Sequence, residues 1–329
     1  VTNLVSQPIL VTGGAGYVGS HVCKALLEYG YTPVILDDLS TGFEENVPPG
    51  VKLVKQDILD LNSLVKLFHV EQFLAVIHCA AKTSVEEGEL KPDLYTAVNI
   101  QGTMNVCFAA LHTGVKAFIL SSTAAVYGSG NGVDYFSEKS PVSPENWYGK
   151  TKARSEDLVR ALSPHIPHAI LRYFNVCGAS DTHGDRREPK MLLPRMVRCA
   201  LGKFDQDATF TIHGTDYDTY DGTAVRDLID IEDLARAHVL ALREVLGGYI
   251  QDETINLGSG RAYSVKTLAQ NVASLYGMEI KPGPRRPGDV AHCAAQVNKA
   301  RNLLSWAPTK SLLQIIQSEY NWQKSRSSR

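Results

Sequence analysis

No apolar run in this 329-residue chain reaches the ~18–20 residues that a membrane-crossing helix needs, which removes bilayer-spanning functions. Positive charge is not in surplus. The 33 Lys and Arg face 35 Asp and Glu, a formal net charge of −2, so no nucleic acid and no anionic membrane is expected as a partner. Cysteine is sparse, and the six (Cys23, Cys79, Cys107, Cys177, Cys199, Cys293) never form C-x-x-C. Neither a metal site nor a disulfide framework is expected, and the natural setting is a reduced cytoplasm. The opening V-T-N-L-V-S-Q-P has no cationic leader, so no signal peptide is expected. No 20–50-residue repeat and no long low-complexity segment occurs, which excludes solenoid architectures.

What is present is an alternation. β-Branched runs at 9–12, 34–37, 52–55, 75–79, 117–122 and 169–174 are separated by helical patterns at 17–29, 61–68, 93–112 and 148–162. Apolar strands alternating with helices predict an α/β fold, a Rossmann-type doubly wound parallel sheet covered on both faces. The rhythm breaks after Asn175. Polar stretches at 178–187 and 205–222 flank a helical pattern at 193–201, and later signals at 225–231, 232–245, 254–257, 264–276 and 311–324 are more widely spaced. The expected division is a dinucleotide-binding domain over 1–175 plus about 225–250, with a smaller interleaved lobe from 176–224 and 251–329. The P-G-P-R-R-P-G-D run at 282–289 reads as a rigid loop.

The first strand runs into G-G-A-G-Y-V-G, with Gly13, Gly16 and Gly19 spaced G-x-x-G-x-x-G. Gly13 suits a tight turn, Gly16 a close backbone approach to a pyrophosphate, and Gly19 close packing of helix on strand, so Tyr17 and Val18 open a helix facing the anion. The second strand ends in Asp37-Asp38, where a carboxylate meets ribose hydroxyls and repels a 2′-phosphate, favouring NAD over NADP. Asp57 and Ile58 follow the third strand. Cys79, Ala80 and Ala81 end the fourth with small side chains, and Asn99 lies in the 93–112 helix. Each of these four places also has a purely structural explanation.

Tyr148 and Lys152 lie four apart in Y-G-K-T-K, after the triplet Ser121-Ser122-Thr123. On a helix they share one face, and an ammonium beside a phenol favours the phenolate, making Tyr148 a candidate general base. The spacing alone is weak, since Tyr135/Lys139 and Tyr320/Lys324 repeat it. The preceding hydroxyl-rich strand and the glycine turn single out the 148/152 copy.

The combined pattern resembles the extended short-chain dehydrogenase/reductase family and, within it, the UDP-glucose (UDP-galactose) 4-epimerases. The matching pieces are V-T-G-G-A-G-Y-V-G-S-H (11–21), L-D-D-L-S-T-G (36–42), N-I-Q-G-T (99–103), S-S-T-A-A-V-Y-G (121–128), Y-G-K-T-K (148–152), L-R-Y-F-N (171–175), D-G-T-A-V-R-D (221–227), N-L-G-S-G (256–260) and P-R-R-P-G-D (284–289). The resemblance implies a tightly held NAD, a 4-keto sugar intermediate and no net redox change. It makes Tyr148, Lys152 and Thr123 catalytic. It adds Ser121, Ser122 and Phe174 to the cofactor contacts, and assigns Asn175, Leu192, Thr211, His213, Arg226, Arg286, Asp289 and Cys293 to a UDP-sugar. A homodimer through the 93–112 and 149–162 helices is also implied, with Val106, Ala110 and Leu158 as fitting apolar positions.

Three places depart from the family pattern. Met191 stands where Asn or His is usual, His213 where Phe or Tyr is common, and Lys82-Thr83 in shifted order. Cys293 takes the position that is a bulky Tyr in strict glucose/galactose enzymes, leaving room for an acetamido group and hence for UDP-GlcNAc/UDP-GalNAc. Competing readings are a UDP-pentose 4-epimerase, a lyase of the same fold (a dehydratase or decarboxylase), a net oxidoreductase and a non-catalytic NAD sensor. A dehydratase usually places Asp-Glu after the catalytic Thr, where this chain has Ala124-Ala125.

Overall fold

The computed structural model describes residues 7–130, 133–188, 191–202, 209–286 and 289–327. Residues 1–6 of the opening segment, 205–208 of the second polar stretch and Pro287-Gly288 of the 282–289 run lie outside the described residues. The first half runs β1 (Ile9–Thr12), α1 (Tyr17–Glu28), β2 (Pro33–Asp37), β3 (Lys52–Lys55), α2 (Leu61–Glu71), β4 (Ala75–His78), α3 (Val85–Leu90), α4 (Pro92–Tyr95), α5 (Thr103–Thr113), β5 (Ala117–Thr123), α6 (Trp147–Arg160) and β6 (His168–Tyr173). Then follow β7 (Asn175–Cys177), α7 (Leu192–Ala200), β8 (Thr209–His213), β9 (Val225–Asp230), α8 (Ile231–Leu246), β10 (Asp252–Leu257), β11 (Ala262–Ser264), α9 (Val265–Tyr276), β12 (Glu279–Gly283), β13 (His292–Cys293), α10 (Asn298–Leu304) and α11 (Leu312–Ser327).

Seven strands form one parallel sheet in the order β10-β6-β5-β4-β1-β2-β3. Alternate side chains feed two apolar layers. Ile9, Val11, Ile77 and Ile119 pack under α1 and α8, while Leu10, Val76, Phe118 and Leu120 pack under α2 and α5. The sheet order reverses between β1 and β4, and the carboxyl ends of these strands flank the crevice where such folds bind ligands.

Sheet membership differs from the expected division of the chain. β9 leaves the main sheet and pairs with β7, β11 and β13, whereas β10 joins the main sheet beside β6. Thus 225–230 builds the lobe although α8, which follows it directly, packs on α1. A short β-branched run carries no label saying which sheet will complete its hydrogen bonds. β8 and β12 form a third, two-stranded parallel sheet. It takes up Pro282 and Gly283, the start of the expected rigid loop.

The expected single helix over 93–112 is three pieces, because a π-helical segment, Thr96–Gly102, separates α4 from α5. Gly102, at its end, packs against Ile58, and a Cβ there would lie 2.4 Å from Ile58 Cδ1. Val106 and Ala110 are wholly buried, so they cannot serve the expected dimer face. The exposed apolar stripe on α5 is Met104, Phe108 and Leu111 instead.

Candidate active site

α6 starts at a side-chain cap, with Asn146 Oδ1 accepting from Gly149 N at 2.8 Å, a contact typically worth about 1 kcal/mol. This places Tyr148 in the first turn and Lys152 and Glu156 one and two turns on, all three buried. An inward helix face of this kind is ordinarily apolar. Here it also carries Thr151 and Ser155, whose hydroxyl donates to Asn99 O at 2.7 Å.

Glu156 is the anchor. Its carboxylate accepts from Ser122 Oγ (2.6 Å), Arg172 Nε (2.9 Å) and Arg160 Nη2 (2.9 Å), and it pairs with Arg172 Nη2. Burial opposes ionisation there, but these partners, Arg172 first, outweigh it and hold the group below the usual carboxylate range. Ser122 is committed to that network on one face of β5. Ser121 and Thr123 point to the other face, with Ser121 Oγ 2.8 Å from His238 Nε2 and 3.1 Å from Cys79 Sγ. A cofactor contact from Ser122 is therefore confined to its backbone.

Lys152 is 3% exposed, and no ion pair to its ammonium occurs among the described residues. Burial drops its pKa to about 8, against the raising influence of Glu156 and Cys79. Tyr148 departs from the expectation of a depressed phenol. Burial is the largest influence and raises it, while the Thr123 hydroxyl and the Arg187 charge pull it back. Desolvation outweighs both in the protein by itself.

The glycine turn behaves as its spacing suggests. Gly13 has φ +67°, and a Cβ on Gly19 would lie 2.2 Å from Gly13 O. Thr12 Oγ1 lies 2.7 Å from His78 Nδ1 and His78 Nε2 lies 3.0 Å from Thr103 Oγ1, tying the two strand ends at the crevice to α5. Asp37 is buried, and its carboxylate accepts from Ala15 N and Leu39 N, both at 2.9 Å. Asp38 and Asp57 are exposed and cap their own turns, accepting from Ser40 N and Leu59 N. Of the acidic pair, Asp37 is the one built into the turn.

Several other expected contacts are spent on structure. The Tyr17 hydroxyl donates to Gly178 O at 2.6 Å, so Tyr17 and its neighbour Val18 can serve a pyrophosphate only through the helix start. Asn99 accepts from Lys82 N and donates to Lys82 O and Thr151 Oγ1, bracing the segment after Cys79, Ala80 and Ala81. Ile58 is core.

These residues fit a dinucleotide. Buried Gln56 Nε2, at the end of β3, has no hydrogen-bond partner among the described residues. Among the described residues no carboxylate pairs with the Lys152 ammonium, and the crevice lining around Gly13 leaves no room for a side chain.

The smaller lobe meets this centre through a small apolar cluster containing Ala124, Phe174, Ala295 and Val297, with Ala153 and Cys293 packed against it. Cys293 pairs with Arg226 in the β13–β9 register, and burial raises its thiol to about 11. Asn175 Nδ2 donates to Asp227 O. Arg226 Nη1 donates to Val225 O (2.9 Å) and Val290 O (2.8 Å), and its contact with Asp289 is a loose 3.8 Å.

Arg286 is exposed, and its charge depresses both Arg195 and His213, behind burial in each case. Neither Arg195 nor Arg286 has an ion pair among the described residues. Thr211 and His213 share the open face of β8 while Phe210 and Ile212 face the core. Leu192 begins α7, and Met191, at its N-cap, makes no side-chain cap bond, as its thioether must.

Tyr217 adds a signal that sequence reasoning missed. Its hydroxyl is buried without a partner among the described residues, and the charges of Asp289 and Arg226 both reach it. Arg195 was missed as well, hidden in an amphipathic helix where Arg is an ordinary surface residue.

The architecture defines a nucleotide-binding α/β protein with a Tyr-Lys-Thr centre facing an arginine-rich lobe. The model of the NAD dependent epimerase/dehydratase family matches residues 9–258, and the chain belongs to that family. A UDP-glucose 4-epimerase of Rhizobium meliloti (strain 1021) is 39% identical over 327 residues, 97% of each chain. A crystal structure of UDP-glucose-4-epimerase from Stenotrophomonas maltophila with bound NAD and formylated UDP-arabinopyranose superposes with TM-score 0.92 at 33% identity, covering 98% of this chain and 99% of the other. The UDP-Glc/GlcNAc 4-epimerase of Campylobacter jejuni gives 0.85 at 36% identity, covering 97% and 100%.

Proposed function

We propose that this protein interconverts UDP-glucose and UDP-galactose by inverting C4, with NAD as its cofactor. The observation that carries the reading is the pairing of two half-sites. A buried Tyr148–Thr123–Lys152 centre lies at the crevice, and a lobe of Arg195, Arg226 and Arg286 has a single loose carboxylate contact among its described ion pairs. Unpaired guanidinium groups suit a diphosphate, whose paired oxygens match their forked donors.

Gly13, Gly16, Gly19, Asp37 and Lys152 would hold the dinucleotide. When bound, NAD+ supplies the reversible hydride acceptor for C4 and a positive ring beside the phenol. Tyr148 takes the proton from the C4 hydroxyl and later returns it. Thr123, whose hydroxyl acts on the phenol, orients that same oxygen. Lys152, with no ion pair among the described residues, would satisfy ribose hydroxyls. The lobe cations keep the nucleotide anchored while the 4-keto sugar turns to offer its other face.

Ala124 and Ala125 follow Thr123, so this centre has no second acid and base for dehydration. Cys293 leaves a small wall at the lobe, which supports acceptance of N-acetylated sugars. The neighbour holding a UDP-arabinopyranose derivative supports a UDP-pentose as the alternative. The six cysteines are all free, which supports a reducing cytoplasm. The Met104, Phe108 and Leu111 stripe supports a homodimer through α5 and α6.

The test is product analysis with UDP-galactose, UDP-GlcNAc and a UDP-pentose, with Tyr148→Phe as control. UDP-glucose should form from UDP-galactose without free NADH, and Tyr148→Phe should lose about 10³-fold or more in kcat. Full activity in that variant removes Tyr148 as the base.

A further inference from the structure

Three loops stand around the glycine turn, and their bases are fastened to it. The β2–β3 loop is held at Ala15 O, which accepts from Phe43 N and from buried Asn46 Nδ2, both at 3.0 Å. The segment leaving β4 is held at Thr12 O, which accepts from Cys79 N at 3.0 Å, and a Cβ on Gly13 would lie 2.7 Å from Ala80 N. Residues 178–188 of the β7–α7 loop are held by the Tyr17 hydroxyl on Gly178 O. From behind, α11 holds the same stretch: Glu319 Oε2 accepts from Gly178 N at 3.1 Å, and Trp322 Nε1 donates to Asp185 O at 2.9 Å.

The tips of these loops are bridged pairwise by side chains. Lys82 Nζ donates to Ser40 Oγ at 3.0 Å, joining the β4 segment to the β2–β3 loop. Arg187 Nη1 donates to Thr83 Oγ1 at 3.1 Å, joining the β7–α7 loop to the β4 segment. Arg186 Nε donates to Asn46 Oδ1 at 2.8 Å and so returns to the β2–β3 loop. β2 and β4 flank β1 in the sheet, so the Lys82–Ser40 bond crosses beyond the carboxyl end of β1, from which the glycine turn leaves. All three donors are cations and all three acceptors are neutral, so the bridges form without cancelling the charge. Lys82 and Arg186 have no carboxylate partner among the described residues, and Arg186 is steadied over the Trp322 ring at 5.4 Å. Arg187 has Asp185, at 2.7 Å. A ring of this charge suits the paired anionic oxygens of a pyrophosphate.

We propose that the three bridges make a closed ring over the crevice, and that opening this ring sets how fast a bound NAD leaves. The proposal rests on NAD as the cofactor and is independent of which sugar is turned over. The loop bases are tied to the turn and to α11, whereas the Ser40 and Thr83 bridges are exposed, where the net worth of a hydrogen bond is small. Firm bases keep the loops in register, and weak tips let the ring open, as a lid must. A ring differs measurably from three separate contacts. Once one bridge is broken the path is open, and breaking a second adds little.

The experiment loads the enzyme with NAD and follows its exchange against excess radiolabelled NAD, which needs no turnover. Ser40→Ala and Thr83→Val each remove one acceptor and leave every cation in place. Each should speed exchange about fivefold. The double variant should stay within about twofold of the faster single one; a larger gain overturns the ring, because separate contacts multiply to about 25-fold. Unchanged exchange in either single variant also overturns it, whatever the melting temperature of the cofactor-free protein does. Lys82→Met should exchange at least as fast as Ser40→Ala, and Lys82→Arg, which keeps the reach and the charge, at the wild-type rate. A Lys82→Arg enzyme as fast as Lys82→Met overturns the bridge. Protein that neither carries nor takes up NAD removes the cofactor reading and the proposal together, whereas NAD that exchanges at one rate in every variant removes the proposal alone.

Discussion

The half built on the main sheet and the smaller lobe hold their charges in different ways. Against the main sheet one buried cluster is mutually satisfied, Glu156 with Ser122, Arg160 and Arg172, while Lys152 one turn earlier has no ion pair among the described residues. In the lobe they stand at or near the surface with few partners, as with Arg286 and the 3.8 Å Arg226–Asp289 contact. A buried pair fixes geometry before any ligand arrives. A loosely paired surface cation keeps its charge available for the ligand. The proposed function uses both: a base has to be aimed, and a nucleotide has to enter and leave.

The sharpest way to break this contrast is to remove one carboxylate from each half. Glu156→Gln leaves Arg172 buried without its counter-charge and should cost about 3–5 kcal/mol in urea unfolding. Its pH dependence has a definite sign. The folded-state carboxyl lies below its unfolded value, so the stabilisation is present above the unfolded pKa and fades as pH falls through the folded one. Asp289→Asn, at a partly exposed pair, should change stability by less than about 1 kcal/mol. Equal losses would show that the halves are not built differently.

A second break concerns Lys152, a buried ammonium without an ion pair. Its folded pKa of about 8 lies below the unfolded value of 10.5, so the unfolded chain binds more protons between them. The penalty is full below pH ~8 and is relieved as pH rises toward the unfolded value. Lys152→Met should therefore stabilise the cofactor-free protein at neutral pH, by at most about 3 kcal/mol, while abolishing turnover. A melting temperature that falls instead would mean that the ammonium has partners in solution.

The smallest expected effect lies in the lobe. Arg286→Ala should raise KM for the UDP-sugar about tenfold, equivalent to about 1.4 kcal/mol, with stability and NAD retention unchanged. A loss of kcat with unchanged KM would place Arg286 at the chemistry and not at the diphosphate.

The first six strands of the main sheet were legible to within about a residue, because apolar runs between turn residues have few alternatives, whereas α3 gave no signal and the 93–112 helix is broken by a π-helical segment. The destinations of 225–230 and 252–257 were not legible, since the sheet that completes a strand is a nonlocal choice. Tyr17 looked like a cofactor residue from its place after Gly16, yet its hydroxyl holds Gly178, 161 residues away. Ser122 sat among hydroxyls that read as one set, but strand alternation sends it to the opposite face from Ser121 and Thr123. Tyr217, Arg195 and Arg187 carried no local signal, because an orphaned hydroxyl or a shared field exists only once distant segments meet.

The sequence by itself determined the glycine turn, the spacing of Tyr148 and Lys152, and the strand-helix rhythm. Each follows from local sterics and periodicity, which act within a few residues. Only the tertiary structure decided which charges are paired, which are left free, and in which direction the phenol is pushed. Those depend on burial and on groups brought together from far along the chain.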